Sequence, residues 1–195
     1  MSGRVVAGIL ALGITACGGE AASDGGDADP TKRSATFSDP TGDLVNPDGV
    51  AVDGPNYLDI VAVEIGNDGG ELRATLTLDG IPPTGVDGST EPINFVILIQ
   101  ADGGDYWLTM ENRSDGQYHP TLSDFTDAGP YTYDEDEYPG TAAIAGKRIT
   151  WTVPLSMLGD PDSLGFRVWT QKSDSNLDVE AEDYLPDSER HQDVP

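Results

Sequence analysis

Carboxylates and indoles are the residues of this chain with the most usable chemistry. The stretch Asp39-Pro40-Thr41-Gly42-Asp43 is a turn-rich acidic loop. Hard cations take six to eight oxygens at about 2.3–2.6 Å, supplied by carboxylates and carbonyls that bent backbone gathers. Aspartates in such a loop also cap turns through their own backbone, so a cation site and a capped turn are both open readings. An EF-hand is excluded, because no D-x-D-x-D-G run with a glutamate at position twelve occurs. Asp134-Glu135-Asp136-Glu137 offers four adjacent carboxylates, either a second cation site or a solvated charge run. Trp107 and Trp169 each fall out of phase with the inward set of their strand, so their faces are available to stack on the apolar face of a sugar. Tyr106, Tyr131, Tyr133 and Tyr138 are candidates to line the same region. The competing reading is that these aromatics cover a second core face or a loop. Trp151 lies in phase with Ile149 and Val153 and belongs to the core.

Catalytic patterns are missing. There is no G-x-S-x-G elbow and no phosphate-cradling loop. With 35 Asp and Glu in the chain, a pair of acids spaced for glycoside hydrolysis carries no signal. His119 and His191 are isolated and give no zinc spacing. The expectation is a protein that is not an enzyme. Lys and Arg number only 10, for a net charge of −25. Such a surface disfavours nucleic acid, whose capture depends on neutralising phosphates, and repels anionic headgroups. It is compatible with cation binding.

At the N-terminus, Met1 to Arg4 is short and basic, and Val5 to Ile14 is an apolar run too short to span roughly 30 Å of hydrocarbon. Ile14-Thr15-Ala16-Cys17 follows and resembles the bacterial lipobox. The resemblance implies a signal peptide over 1–16 and a lipid-bearing Cys17. Two or more acyl chains hold a protein stably on a membrane where one does not. The expected location is therefore an extracytoplasmic membrane face, cell surface or periplasm, reached through the lipid alone. Cys17 is the only cysteine, so no disulfide is expected to brace the fold. Residues 17–34 then read as a flexible acidic linker.

The elements that must position the candidate residues lie in 35–187, one domain's length. Leu58 to Ile65 and Glu71 to Asp79 read as two strands, the second alternating strictly with Leu72, Ala74, Leu76 and Leu78 on one face. Gly66-Asn67-Asp68-Gly69-Gly70 joins them as a hairpin. Ile93 to Gln100 is apolar on both faces and is placed centrally in a sheet covered on both sides. Asp105 to Asn112, Lys147 to Val153 and Ser163 to Lys172 are further strands, and residues 188–195 are expected as a disordered tail. Short strands between Gly, Pro, Asn and Asp turns predict an all-β, antiparallel, jelly-roll-like sandwich.

The acidic loop, Leu58-Asp59-Ile60, the strand Ile149 to Pro154 with Leu158-Gly159, and Asp183-Tyr184-Leu185-Pro186-Asp187 occur in an order that resembles one β-sandwich group. That group holds family-9 carbohydrate-binding modules, DOMON domains and the C-terminal glucodextranase-like domain. The resemblance spans about 37–187. It implies sugar or haem binding on secreted or surface proteins, with structural calcium in some members. Asp39, Asp43 and Asp59 match the acidic positions of the group's loop and following strand, and Asp53 can join them as a calcium ligand. Haem is not expected, because no Met/His pair is placed to ligate it and Leu44-Val45-Asn46-Pro47-Asp48 departs from the group's pattern. The expected function is a lipid-anchored, non-catalytic binding module with carbohydrate as the leading ligand class. The alternative is an accessory envelope lipoprotein that binds a protein partner through its acidic face.

Overall fold

A computed structural model of the chain describes residues 33–101, 104–125, 131–185 and 192–194. The expected signal peptide, Cys17, most of the linker and His191 lie outside them. The described chain is a sandwich of two antiparallel sheets, as the turn spacing predicts. One sheet runs β1-β2-β3-β9-β8, from strands Arg33–Ser38, Ile60–Asp68, Glu71–Leu78, Arg148–Pro154 and Thr141–Ala145. The other runs β11-β10-β4-β5-β6-β7, from Val179–Leu185, Leu164–Ser173, Ile93–Ala101, Gly104–Asn112, Tyr118–Asp124 and Tyr131–Tyr133. Residues Gln192–Val194, expected in the loose tail, form a short strand β12 on β10 (Leu164 opposite Val194).

The alternation of Glu71–Leu78 is realised: Leu72, Ala74 and Leu76 are fully buried and pair with Val153, Trp151 and Ile149 on β9. On β2 a bulge between Ile60 and Ala62 shifts the alternation by one residue. Ile60 above it and Val63 and Ile65 below it therefore all face the core. Trp151 is fully buried and its Nε1 donates to the Thr109 carbonyl of the opposite sheet at 3.4 Å. Phe37 of β1 meets Phe166 of β10 across the interior, ring centroids 4.8 Å apart.

The connection 39–59 wraps the β11 edge. Val45 exchanges two backbone hydrogen bonds with Glu182, at 3.0 and 2.9 Å, and Leu44 enters the core. A sheet edge that would otherwise expose its backbone is thereby paired. Gly49, at φ +72°, closes the Asn46–Gly49 turn, whose amides at Asp48 and Val50 donate to Asn46 Oδ1.

Candidate metal centre and aromatic face

Two features stand near the β11 edge, one on each side of that strand. The first is acidic. Carboxylate oxygens of Asp39, Asp43 and Asp183 lie within 4.8 Å of one another. That span fits opposite ligands of one hard cation at about 2.3–2.6 Å each, and an all-oxygen donor set suits calcium or magnesium rather than zinc. Asp39 follows β1, its amide donating to the Val61 carbonyl in the β2 bulge at 3.0 Å. Asp43 sits beyond Gly42, which adopts φ +85°. Asp183 is on β11, 2 % exposed, and holds two amides: Ile60 N–H donates to Oδ2 at 2.6 Å and Tyr184 N–H to Oδ1 at 2.9 Å. A depression of about 220 Å³, lined by Asp43, Val45, Asp183 and Tyr184, leads to the group.

Of the three expected ligands, the structure brings Asp39 and Asp43 together with Asp183, while Asp59 is not part of that group. Asp59 stands behind them. It is 4 % exposed, its Oδ2 accepts the Gly42 amide at 2.6 Å, and its Oδ1 is buried with no hydrogen-bond partner. Asp59 thus clamps the loop in its bend, and its second oxygen stands as a buried carboxylate atom needing a donor or a cation. Asp53 is exposed and joins no group. Burial pushes the Asp183 carboxyl up to about 7, the Ile60 amide opposes this, and the charges of Asp43 and then Asp59 raise it further. Asp59 is raised as well, by burial first, against the Gly42 amide and with Asp43 adding to it. Carboxylates gathered this closely repel one another unless a proton or a cation intervenes. The residues present therefore fit calcium. A bound ion would neutralise the group and tie together the ends of β1, the 39–59 loop and β11.

The second feature lies on the outer face of the larger sheet. Pairing places Arg167, Leu98, Trp107, Ser123 and Thr132 in one row across five strands, and Tyr184, Trp169, Val96, Thr109 and Thr121 in the next. Trp107 and Trp169 meet edge to face, centroids 5.2 Å apart at 89°. Phe125 packs on Trp107 at 5.0 Å, and the Arg167 guanidinium lies 4.9 Å over the Tyr184 ring. Trp107 is 38 % exposed and Phe125 43 %. The outer face of β4, expected beneath a second layer, is instead roofed in part by these rings, with Val96 reduced to 4 % exposure. Because the indoles are perpendicular, they do not form one flat platform; a ligand ring stacks on one of them and meets the edge of the other.

The tyrosines expected beside the indoles go elsewhere. Tyr106 is buried in the core, and Tyr131 and Tyr133 pair with each other at 4.5 Å. Tyr138 packs against the core. Phe125 and Tyr184 take their place. No local signal pointed to Tyr184, which stands opposite Trp169 only through the pairing of β10 with β11.

The run Asp134–Glu137 does not gather as a cation site among the described residues. Asp134 pairs with Arg113 at 3.2 Å, Glu137 accepts from the Tyr131 hydroxyl at 3.1 Å, and Glu135 pairs with His119 Nδ1. His119 is on β6 with Nε2 against Asp115 at 2.9 Å. Glu135 raises its pKa, burial opposes this, and Asp115 raises it further. Both ring nitrogens are thus committed to carboxylates, an imidazolium clasp rather than a base or a metal ligand.

Compared with protein-family models, with curated proteins and with solved structures, the chain finds no match.

Proposed function

We propose that this protein is a non-catalytic binding module for carbohydrate, braced by calcium and carried on an extracytoplasmic membrane face by a lipid on Cys17. The observation that carries the reading is the ring cluster on the outer sheet face, with Trp107 and Phe125 exposed and Trp169 half-buried against Trp107. Large aromatic groups left at the surface of a protein with a well-filled core mark a binding site, and their faces suit the C–H faces of sugar rings. The lipid anchor is supported by the Ile14-Thr15-Ala16-Cys17 motif. Calcium is supported by the spacing of Asp39, Asp43 and Asp183.

Affinity electrophoresis of the full chain in detergent, through gels containing a panel of polysaccharides, tests the ligand class. Retardation of the native chain and free migration of Trp107→Ala are the expected results. Absence of retardation by every polysaccharide, with salt-sensitive capture of a basic protein, would replace this reading with an accessory envelope lipoprotein. Hydrolysis of any of the polysaccharides would overturn the non-catalytic part.

A further inference from the structure

We infer that the sugar taken by this face is acidic, a polysaccharide carrying carboxylates such as a polyuronate, and that Arg167 receives the charge. The inference rests on the carbohydrate reading of the same surface. It comes from the distribution of charge across the larger sheet.

Acidic residues outnumber basic ones 35 to 10, yet neither of the two central outer rows holds a carboxylate. Acids return only in the flanking rows, as Asp105 opposite Gln100 and as Glu182 and Glu111 beyond Trp169 and Thr109. The one charge inside the island is Arg167. Elsewhere Arg113, Lys147, Arg148 and Lys172 each have a carboxylate within 3.9 Å, and Arg73, like Arg167, has none among the described ion pairs but lies on the other sheet. Arg167 has no ion-pair partner among the described residues; its Nε is buried without a hydrogen bond, and its plane lies on Tyr184.

A guanidinium whose Nε is stripped of water, with no counter-ion among the described residues, is costly. An arriving carboxylate offsets that cost through paired N–H···O bonds from the outward edge of the guanidinium. Arg167 and Trp107 face the same side with only Leu98 of β4 between them, a separation of two strand spacings, roughly 10 Å. One pyranose on the indole and a carboxylate on it or on its neighbour span that distance. Stacking supplies contact area and the arginine supplies charge selection. Charges beyond about 8 Å are screened at physiological ionic strength; the nearer acids Asp105 and Glu182, two residues along the strand from Trp107 and Tyr184, oppose an anionic ligand, and the Arg167 contact must outweigh them.

The test measures retention of the full chain on polygalacturonate, on a sulfated galactan, on a neutral glucan and on polyglutamate, for native protein, Arg167→Gln, Arg167→Lys and Trp107→Ala. Thermal melting checks that each variant is folded. Native protein is expected to prefer polygalacturonate over neutral glucan by tenfold or more. Arg167→Gln removes that preference while leaving weak glucan binding, Arg167→Lys keeps part of it, and Trp107→Ala loses both glycans. Equal retention on neutral glucan and polygalacturonate, unchanged in Arg167→Gln, would overturn the inference and leave the carbohydrate reading standing. Preference for the sulfated galactan would move the ligand from carboxylate to sulfate ester and overturn the polyuronate assignment. Retention on polyglutamate that survives Trp107→Ala would make the site a polyanion patch for acidic peptide, and failure on all glycans would overturn both readings.

Discussion

Asp183 is the most buried acid of the Asp39, Asp43 and Asp183 group. With its carboxyl held at about 7 by burial, against 3.8 ordinarily, the native state binds more protons than the unfolded state between those values. Stability of the metal-free chain is therefore expected to fall as pH rises through that window. On the calcium proposal, a bound ion would neutralise the same oxygens, and its stabilising effect should grow as the proton leaves. Melting the full chain with calcium and then with chelator should show a gap of several degrees at pH 8 that narrows toward pH 5. Identical midpoints at pH 8 would remove the metal. Asp183→Asn should abolish the gap, whatever its effect on the baseline. The indoles separate in the same way. Trp107→Ala, at a 38 % exposed position, should abolish polysaccharide retention with little change in Tm. Trp151→Ala should cost about 3–5 kcal/mol by leaving a core cavity, with a Tm fall of roughly 2–4 °C per kcal/mol.

Elements carry these side chains into place, and the 39–59 connection does most for the acidic group. Its bend depends on Gly42 at φ +85°, where a side chain is strained by roughly 1–2 kcal/mol even though open space surrounds it. Gly42→Val should therefore weaken calcium binding, read by calorimetry, more than it lowers the melting point of the chelated protein. At the other end of the sandwich, His119 clasps the Asp115 turn and the 3-10 turn Glu135–Glu137 to β6. Its raised pKa means the clasp is complete below the ordinary value of 6.5 and lost as pH rises through the higher native value. His119→Gln should destabilise at pH 5.5 by the small amount of a surface pair, under about 1 kcal/mol, and by less at pH 9. Calcium should not alter that difference, which separates it from the Asp183 effect.

For the whole molecule, a net charge of −25 over the full chain is a standing repulsion. Raising salt in the presence of chelator should raise the melting point by screening it, and a melting point that falls instead would show that bulk repulsion is not limiting. Radiolabelled palmitate should mark the native chain and not Cys17→Ser; an unlabelled native chain would end the lipoprotein reading. If both hold, the lipid keeps the domain near a membrane that its own charge pushes away.

The period-two runs at Glu71–Leu78 and Arg148–Pro154, the hairpin glycines after Asp68, and the central apolar strand Ile93–Ala101 were decided by sequence alone. Such signals are local: one strand's alternation states which side is buried without reference to its neighbours. So were the core place of Trp151 and the outward phase of Trp107 and Trp169. What lay beyond reach were contacts that depend on which strands pair and in which register. Asp183, 140 residues or more from Asp39 and Asp43, replaces Asp59 as the third acid only because β11 packs beside the β2 bulge. Tyr184 and Arg167 stand beside the indoles because register sets them opposite Trp169 and Leu98, whereas Tyr106, adjacent to Trp107, turns inward by the alternation of its own strand. A single sequence carries the period of each strand but not the order of the strands, and both candidate sites are built across that order.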